Sequence, residues 1–136
     1  MSPTECGYTS VPLAPAPENA PDCMKCGKPS VQFWTKTSNR NNNAGRPYFK
    51  CVPCDKFLVF NDNRGNDPLN PHCYCGVSSK RQVSGSSRRV SRGVHYVCRL
   101  GPCNFYQPEM GDGGHQLSLE DVEEELLQLL IRFCVI

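Results

Sequence analysis

Ten cysteines carry most of the chemical information in this sequence of 136 residues. Eight of them form close pairs, separated by one to four residues: Cys23 and Cys26, Cys51 and Cys54, Cys73 and Cys75, and Cys98 and Cys103. Close pairs of thiols on turns are the ligand pattern of structural zinc sites, in which four sulfurs surround the ion in a tetrahedron. We therefore predict two zinc ions per chain, one held by the first two pairs and one by the last two.

An even number of cysteines can also indicate disulfides, if the protein is secreted. The first 22 residues lack the basic start and the apolar core of roughly 7–15 residues that a signal peptide needs. No apolar run has the length of a transmembrane helix. We therefore expect an intracellular protein, with the nucleus favoured, that has no membrane contact and uses its thiols for metal.

One ligand of the second site is open between two residues. Cys73 pairs with Cys75, but His72 lies three positions before Cys75, which is the spacing of the first cysteine pair. Either residue could complete the set, and we favour Cys73. Cys6 and Cys134 lie outside both sets and are interpreted as an unpaired thiol and a small buried apolar residue.

The two cysteine sets lie in an internal repeat. Each repeat begins with a cysteine pair followed by glycine and closes on an aromatic stretch and a second pair. Polar segments rich in Gly, Asn and Pro separate the repeats from the rest of the chain. We divide the chain into a disordered Pro-rich leader (1–22), a first ribbon (23–62), a linker (63–72), a second ribbon (73–107), a second linker (108–116) and a helix (117–136).

Alternating side chains predict three short strands in each repeat. The predicted strands are 31–36, 47–52 and 57–60 in the first repeat and 77–83, 94–98 and 104–107 in the second. The fold class is therefore small, metal-bound and mainly β, with two tandem zinc ribbons, each a three-stranded antiparallel sheet, and one C-terminal amphipathic α-helix. Trp34 is expected to be exposed, whereas four rings are expected in the core: Phe33, Phe49, Phe57 and Phe105.

With the cysteines placed, one stretch becomes recognisable. "NAGRPYFKC", from Asn43 to Cys51, resembles the core of the GRF-type zinc finger, and "CMKCGKP" and "CDKFLVF" resemble its opening cysteine pair and closing strand. The second repeat resembles a diverged copy, which has Arg92-Gly93 where the first has Gly45-Arg46. The resemblance implies a small crescent-shaped, zinc-bound sheet of a kind that binds single-stranded nucleic acid in several family members.

By this resemblance, Arg46 would contact phosphate, Lys36 and Lys50 would flank the same face, and Tyr48 or Phe49 would stack on a base. The charge distribution agrees, because residues 23–60 and 73–107 each carry a net charge of +6, whereas the whole chain carries +2. Basic sheets that bear aromatic side chains suit single strands. The expected nucleic-acid-binding residues are Trp34, Lys36, Arg46, Tyr48, Lys50, Arg88, Arg89 and Arg92.

The terminal segment predicts a helix over 117–136, with Ser118 as its N-cap and Asp121 in the position of a capping-box acid. Its apolar residues recur at spacings of three and four, as in a coiled-coil seam: Leu119, Val122, Leu126, Leu129, Phe133 and Ile136. This stripe could pack on a ribbon, but we favour a homodimer or a partner helix.

These patterns together predict a zinc-binding module for nucleic acid, with a single strand favoured and DNA versus RNA left open, which dimerises through its last helix. The alternative is a protein–protein adaptor with purely structural zinc sites. We expect no enzyme and no catalytic residues, because the sequence shows no paired carboxylates on a ribbon and no Ser-His-Asp set.

Overall fold

Two three-stranded antiparallel sheets follow one another in a computed structural model of the chain, which describes residues 12–39, 42–85 and 88–136. In each sheet the strands lie in sequence order, so that the middle strand pairs with both neighbours. The first sheet consists of β1 (Val31–Trp34), β2 (Pro47–Cys51) and β3 (Lys56–Phe60), and the second of β4 (Lys80–Val83), β5 (Val94–Val97) and β6 (Tyr106–Pro108). The predicted fold class is confirmed, and every strand overlaps its predicted position.

The turn between β1 and β2 depends on a glycine. Gly45 has φ of +77°, in the left-handed region that glycine adopts without steric cost, and its N–H donates to the carbonyl of Thr35. The matching turn of the second sheet places Arg92 there, with φ of +50° and its N–H directed to the carbonyl of Gly85. The inverted order Arg92-Gly93 therefore puts a residue with a Cβ where the first repeat has glycine.

The C-terminal segment explains this inversion. A Cβ on Gly93 would lie 2.7 Å from Nε2 of Gln116, and Gly93 forms an antiparallel bridge with Ser118. A side chain at position 93 would have to displace the side chain of Gln116, which the returning chain places beside it. In the first repeat, the corresponding position carries the long side chain of Arg46.

Part of the connection between the ribbons is buried, although its polar, turn-rich composition predicted a linker over 63–72. The side chain of Asn66 is fully buried, and Asn70 donates to the carbonyls of Gly65 and Ser79 at 2.8 and 2.9 Å. A Cβ on Gly65 would lie 2.0 Å from the carbonyl oxygen of Arg81. The connection thus packs directly against β4 and fixes it relative to the first ribbon.

Residues 12–22 are also held in place, which corrects the disordered leader predicted over 1–22 for this part; residues 1–11 lie outside the described residues. The N–H of Ala14 donates to the carbonyl of Asn66 at 2.8 Å, and the Asn66 side-chain amide donates back to the carbonyl of Ala14 at 3.0 Å. Arg99 of the second ribbon donates to the carbonyl of Pro15. This segment therefore connects to both the linker and the second ribbon.

The C-terminal helix is shorter than the predicted 117–136. Ser118 does act as a cap, because its Oγ accepts from the N–H of Glu120, but it caps a 3-10 turn, Leu119–Asp121. The chain is then extended at Val122, and the α-helix α1 runs over Glu124–Arg132.

The segment before this helix is also ordered, although 108–116 was predicted as a linker. It folds back through a bridge between Met110 and Gln116 and a 3-10 turn, Asp112–Gly114. The helix then packs on the second ribbon, where Leu127 and Ile136 join Val94 of β5 in a small apolar core. Within the described residues, no helix has the length and apolar character needed to cross a membrane.

Candidate metal centres and nucleic-acid interface

The first cysteine set converges at one end of the first sheet. Gly27, with φ of +75°, closes the opening turn by donating to the carbonyl of Cys23 at 2.7 Å, which presents the first pair of sulfurs on one side. Cys23 Sγ lies 4.0 Å from Cys54 Sγ, and Cys26 Sγ lies 3.4 Å from Cys51 Sγ. Sulfurs about 2.3 Å from a tetrahedral zinc ion lie about 3.8 Å from one another. The set therefore fits zinc.

The second set repeats this arrangement with a shorter opening pair. Gly76, with φ of +81°, donates to the carbonyl of Cys73, and Cys75 Sγ lies 3.9 Å from Cys98 Sγ. Together with Cys103, these sulfurs all lie within 4.8 Å of one another. The predicted ligand sets, and two zinc ions per chain, are thus compatible with the structure.

The structure favours Cys73 over His72 as the ligand. His72 forms an antiparallel bridge with Ser78, and Asp22 forms the same bridge with Pro29 around the first opening turn. His72 therefore corresponds to Asp22, which precedes the first ligand. Its side chain is exposed, outside the four-sulfur set.

Ionisation of the thiols shows why each set needs a cation. The backbone N–H of Cys26 lowers the pKa of Cys23 to about 6. Hydrogen bonds with the neighbouring thiols of Cys26 and Cys51 raise the pKa of Cys54 to about 12. Four adjacent sulfurs oppose one another's ionisation, whereas a metal binds thiolates and releases their protons. When bound, zinc would hold the two ends of each ribbon together.

Of the two remaining cysteines, Cys6 lies outside the described residues. Cys134 is buried, as predicted, but it is disulfide-bonded and so does more than fill space.

Four rings form a continuous aromatic row on one face of the first sheet: Phe33, Tyr48, Phe57 and Phe60. Register explains the row, because Phe33 pairs with Tyr48 across β1 and β2, and Tyr48 pairs with Phe60 across β2 and β3. Successive ring centroids lie 6.0, 5.5 and 4.9 Å apart. Phe33 and Phe57 are 37% and 40% exposed, so the prediction that these two rings belong to the core is wrong.

A shallow hollow lies beside this row, with a volume of about 520 Å³. Trp34, which is 63% exposed, and the exposed Lys36 line it together with Phe33 and Tyr48. Trp34, Lys36 and Tyr48 thus line one accessible hollow, and their contact with nucleic acid stays a prediction. Lys50 lies at the same edge, with its Nζ 5.8 Å from the Phe33 ring centroid and in an ion pair with the exposed Asp55.

Arg46 has a different role from the predicted phosphate contact. Its side chain is 5% exposed, and its Nε and Nη2 donate to the two carboxylate oxygens of Asp62 at 2.6 and 2.9 Å. Nη1 donates to Asn43, and the guanidinium lies 3.7 Å over the Phe60 ring. Because its donors are engaged inside the protein, Arg46 supports the aromatic row from behind and does not face a ligand.

The predicted cations of the second ribbon divide in the same way. Arg88 and Arg89 are exposed. Arg92 is half-buried, and its Nη2 donates at 2.7 Å to the side-chain oxygen of Asn42 in the first ribbon. The predicted role of Arg92 at a nucleic acid is thus replaced by a contact between the ribbons. Burial of Lys80, which counted toward the basic charge, also removes it from the surface.

Sequence reasoning missed two buried groups that shape the site. Asp62 binds Arg46 and Lys80, and His95 stacks on Tyr106 with a centroid distance of 4.8 Å. The burial of Asp62 could have been predicted from its position, because it is the acid that follows shortly after the aromatic strand of a strongly basic ribbon. The burial of His95 could not be predicted, because the alternation of side chains along β5 does not show that both faces of this strand are covered.

Comparison with known proteins identifies the first ribbon. Residues 20–64 match the family described as the GRF-like zinc ribbon domain. The solved structures include a similar chain, the tandem zinc finger GRF domains of human NEIL3, with 21% sequence identity, 65% of this chain and 97% of that chain covered, and a TM-score of 0.26. No curated protein matches the chain. The resemblance of the first ribbon to the GRF-type zinc finger is therefore confirmed, and the family match covers residues 20–64.

Proposed function

We propose that this protein is a binding module rather than an enzyme, and that it holds single-stranded nucleic acid on the aromatic row and in the hollow beside it. The observation that carries the proposal is the exposure of Phe33 and Phe57 in the aromatic row and of Trp34 in the hollow beside it. Solvent-exposed rings are costly to leave uncovered in such number, and each stacked base contributes roughly 1–3 kcal/mol.

The charges around the row support a polyanionic ligand. Lys36 lines the hollow, and Arg88 and Arg89 lie exposed on the second ribbon. The acids are concentrated elsewhere, since residues 117–136 carry a net charge of −4. A single strand is favoured over a duplex because only unpaired bases can turn their faces to a ring.

The chain contains one tryptophan, Trp34, and this makes the proposal directly measurable. Titration with a single-stranded oligonucleotide should quench the Trp34 emission as bases stack on the indole. The affinity should fall steeply as the salt concentration rises from about 50 to about 200 mM. The same strand in a duplex should bind more weakly.

The variant Trp34→Ala should weaken binding of a labelled oligonucleotide by roughly 5- to 100-fold, as expected from the loss of one stacked base. Leu69→Ala is the matched control, because Leu69 is an exposed apolar residue on the connection between the ribbons, outside the row. Unchanged zinc content would show that both variants keep the fold. A wild-type dissociation constant weaker than about 10⁻⁴ M at low salt would contradict the proposal.

A second candidate function is self-association through α1. Leu126, Leu129 and Phe133 remain 42–50% exposed and fall at spacings of three and four on the helix. We propose that a second copy of the chain covers this stripe. Its three residues belong to the seam that the sequence predicted for a dimer. The adaptor alternative places another protein on the same stripe.

Sedimentation equilibrium would test the dimer. The double variant Leu126→Glu with Leu129→Glu should be a monomer where the wild-type chain is a dimer. Glu125→Gln, on the exposed side of the same helix, is the control. A wild-type chain that stays monomeric at concentrations on the order of 100 μM would contradict self-association.

A further inference from the structure

The cleft between the two ribbons contains a further aromatic ring and a hydrogen-bond acceptor, which stacking on the aromatic row does not use. We infer that this cleft is a slot for one or two nucleotides of the bound strand, in which a base stacks on Tyr106 and donates hydrogen bonds to the side chain of Gln82. The inference rests on the proposed function and adds to it a second contact region on the other ribbon.

The dimensions of the cleft suit this ligand. Its volume is about 670 Å³, within the range of roughly 300–1,000 Å³ that is typical of small-molecule sites. Both ribbons contribute to its lining: Phe57 and Phe60 come from the first, and Gln82, His95 and Tyr106 come from the second.

The cleft is continuous with the hollow that contains Trp34. Phe57 and Phe60 line both spaces, and Asn43 does so as well. A strand that stacks on Trp34 can therefore reach the cleft along the row, without leaving aromatic surface.

Tyr106 offers the stacking surface. Its ring is 56% exposed, and it lies nearly parallel to the buried imidazole of His95, with ring centroids 4.8 Å apart. The imidazole thus holds one face of Tyr106 in place and leaves the other available to a base. Arg88 and Arg89 line the same cleft, where they can contact the phosphates that flank that base.

The hydrogen bonds in the cleft leave one acceptor unused. His95 Nδ1 lies 3.3 Å from the carbonyl of Gly93, and its Nε2 lies 3.2 Å from Nε2 of Gln82. Both contacts are satisfied when Nδ1–H donates to the carbonyl and the Gln82 amide donates to Nε2. Burial lowers the pKa of His95, which agrees with this neutral tautomer.

Gln82 Oε1 is then left buried and without a hydrogen-bond partner among the described residues. An unpaired buried acceptor is unfavourable, and a donating ligand would remove this cost. The exocyclic amino groups of adenine and cytosine are donors of this kind, whereas thymine has no amino group and offers only its ring N–H, between two carbonyl oxygens that repel an acceptor. We therefore expect the cleft to favour strands of adenine or cytosine over strands of thymine.

Binding of labelled single-stranded homopolymers of dA, dC and dT to the full chain tests the slot. Tyr106→Ala should weaken binding by roughly 5- to 100-fold, as for one lost stacked base, while the Trp34 quenching persists at saturation. Gln82→Leu should abolish the preference for dA and dC over dT. Tyr74→Ala, which changes an exposed tyrosine outside the cleft, is the matched control.

The outcomes separate the slot from the proposed function. If Tyr106→Ala and Gln82→Leu bind like the wild-type chain while Trp34→Ala binds weakly, the slot is wrong and the proposed function stands. If the wild-type chain binds no strand, the proposed function itself fails. If a free mononucleotide binds as tightly as the strand, the claim that the cleft binds part of a strand is wrong.

Nuclear magnetic resonance on the wild-type chain avoids dependence on variants. The side-chain amide signals of Gln82 should shift when the dC strand is added and should remain in place when only buffer salt is raised. Absence of that shift at saturating strand would also overturn the slot.

Discussion

The ammonium group of Lys80 in the second ribbon lies 2.9 Å from Oδ1 of Asp62 at the end of the first ribbon, and both side chains are fully buried. Arg46 binds the same carboxylate from the other side. Burial opposes ionisation of Asp62, but Lys80 and Arg46 outweigh it and lower its pKa to about 2. One carboxylate therefore binds a cation from each ribbon and joins the two sheets.

Replacing Asp62 with Asn should destabilise the whole chain by about 3–5 kcal/mol, because Arg46 and Lys80 would stay buried without their counter-charge. Denaturant unfolding at constant zinc concentration would measure the loss. Asp55→Asn removes an exposed partner of Lys50 and should cost less than about 1 kcal/mol. Equal effects of the two variants would contradict the assigned role of Asp62.

Native mass spectrometry should find two zinc ions on the full chain. Cys73→Ser should reduce the count to one, because three sulfurs hold the ion poorly. His72→Gln should retain both ions, since the exposed His72 lies outside the four-sulfur set. Loss of zinc from His72→Gln, with zinc retained by Cys73→Ser, would reverse the ligand assignment.

Neighbouring leucines on α1 should differ sharply. Leu127 is 2% exposed in the core with Val94, so Leu127→Ala should cost about 2–5 kcal/mol. Leu126 is half exposed, so Leu126→Ala should change the stability of the monomer by no more than about 0.5 kcal/mol. Thermal unfolding at low protein concentration would compare the two. A large effect of Leu126→Ala there would mean that the helix packs through another face.

Stability should depend on pH through His95. Burial depresses the pKa of His95 in the folded state, so protonation favours the unfolded chain, in which the pKa is about 6.5. The contribution of neutral His95 is therefore complete above that value and is lost as pH falls below it. His95→Gln should flatten this dependence. The free energy of unfolding of the wild-type chain and of His95→Gln should be compared over about one pH unit on either side of 6.5.

Local chemistry explains which features the sequence predicted well. Cysteine spacing and the following glycines define the two opening turns, so all eight ligands and both sheets could be placed. Ser118 could be identified as a cap because capping depends on a few adjacent residues. These features need no knowledge of how the ribbons meet.

The errors arose where the two ribbons meet. Alternation shows that Phe33 and Tyr48 share a face, but it does not show whether that face is covered. Arg46 is charged and follows a turn. These two properties do not distinguish an exposed arginine from one that is buried against Asp62. The polar composition of Asn66 and Asn70 indicates a linker, and only the long-range contacts with Ala14 and Ser79 make it an interior connection.

The burial of Lys80 also has a consequence for the reactivity of the chain. Burial lowers the pKa of Lys80 to about 8, although Asp62 partly offsets this shift, so a larger fraction of this amine is neutral than of an ordinary lysine. Neutral amines react with acylating reagents, yet Lys80 is inaccessible to them while the ribbons stay joined. The rate at which Lys80 is acylated therefore reports how often the two ribbons separate.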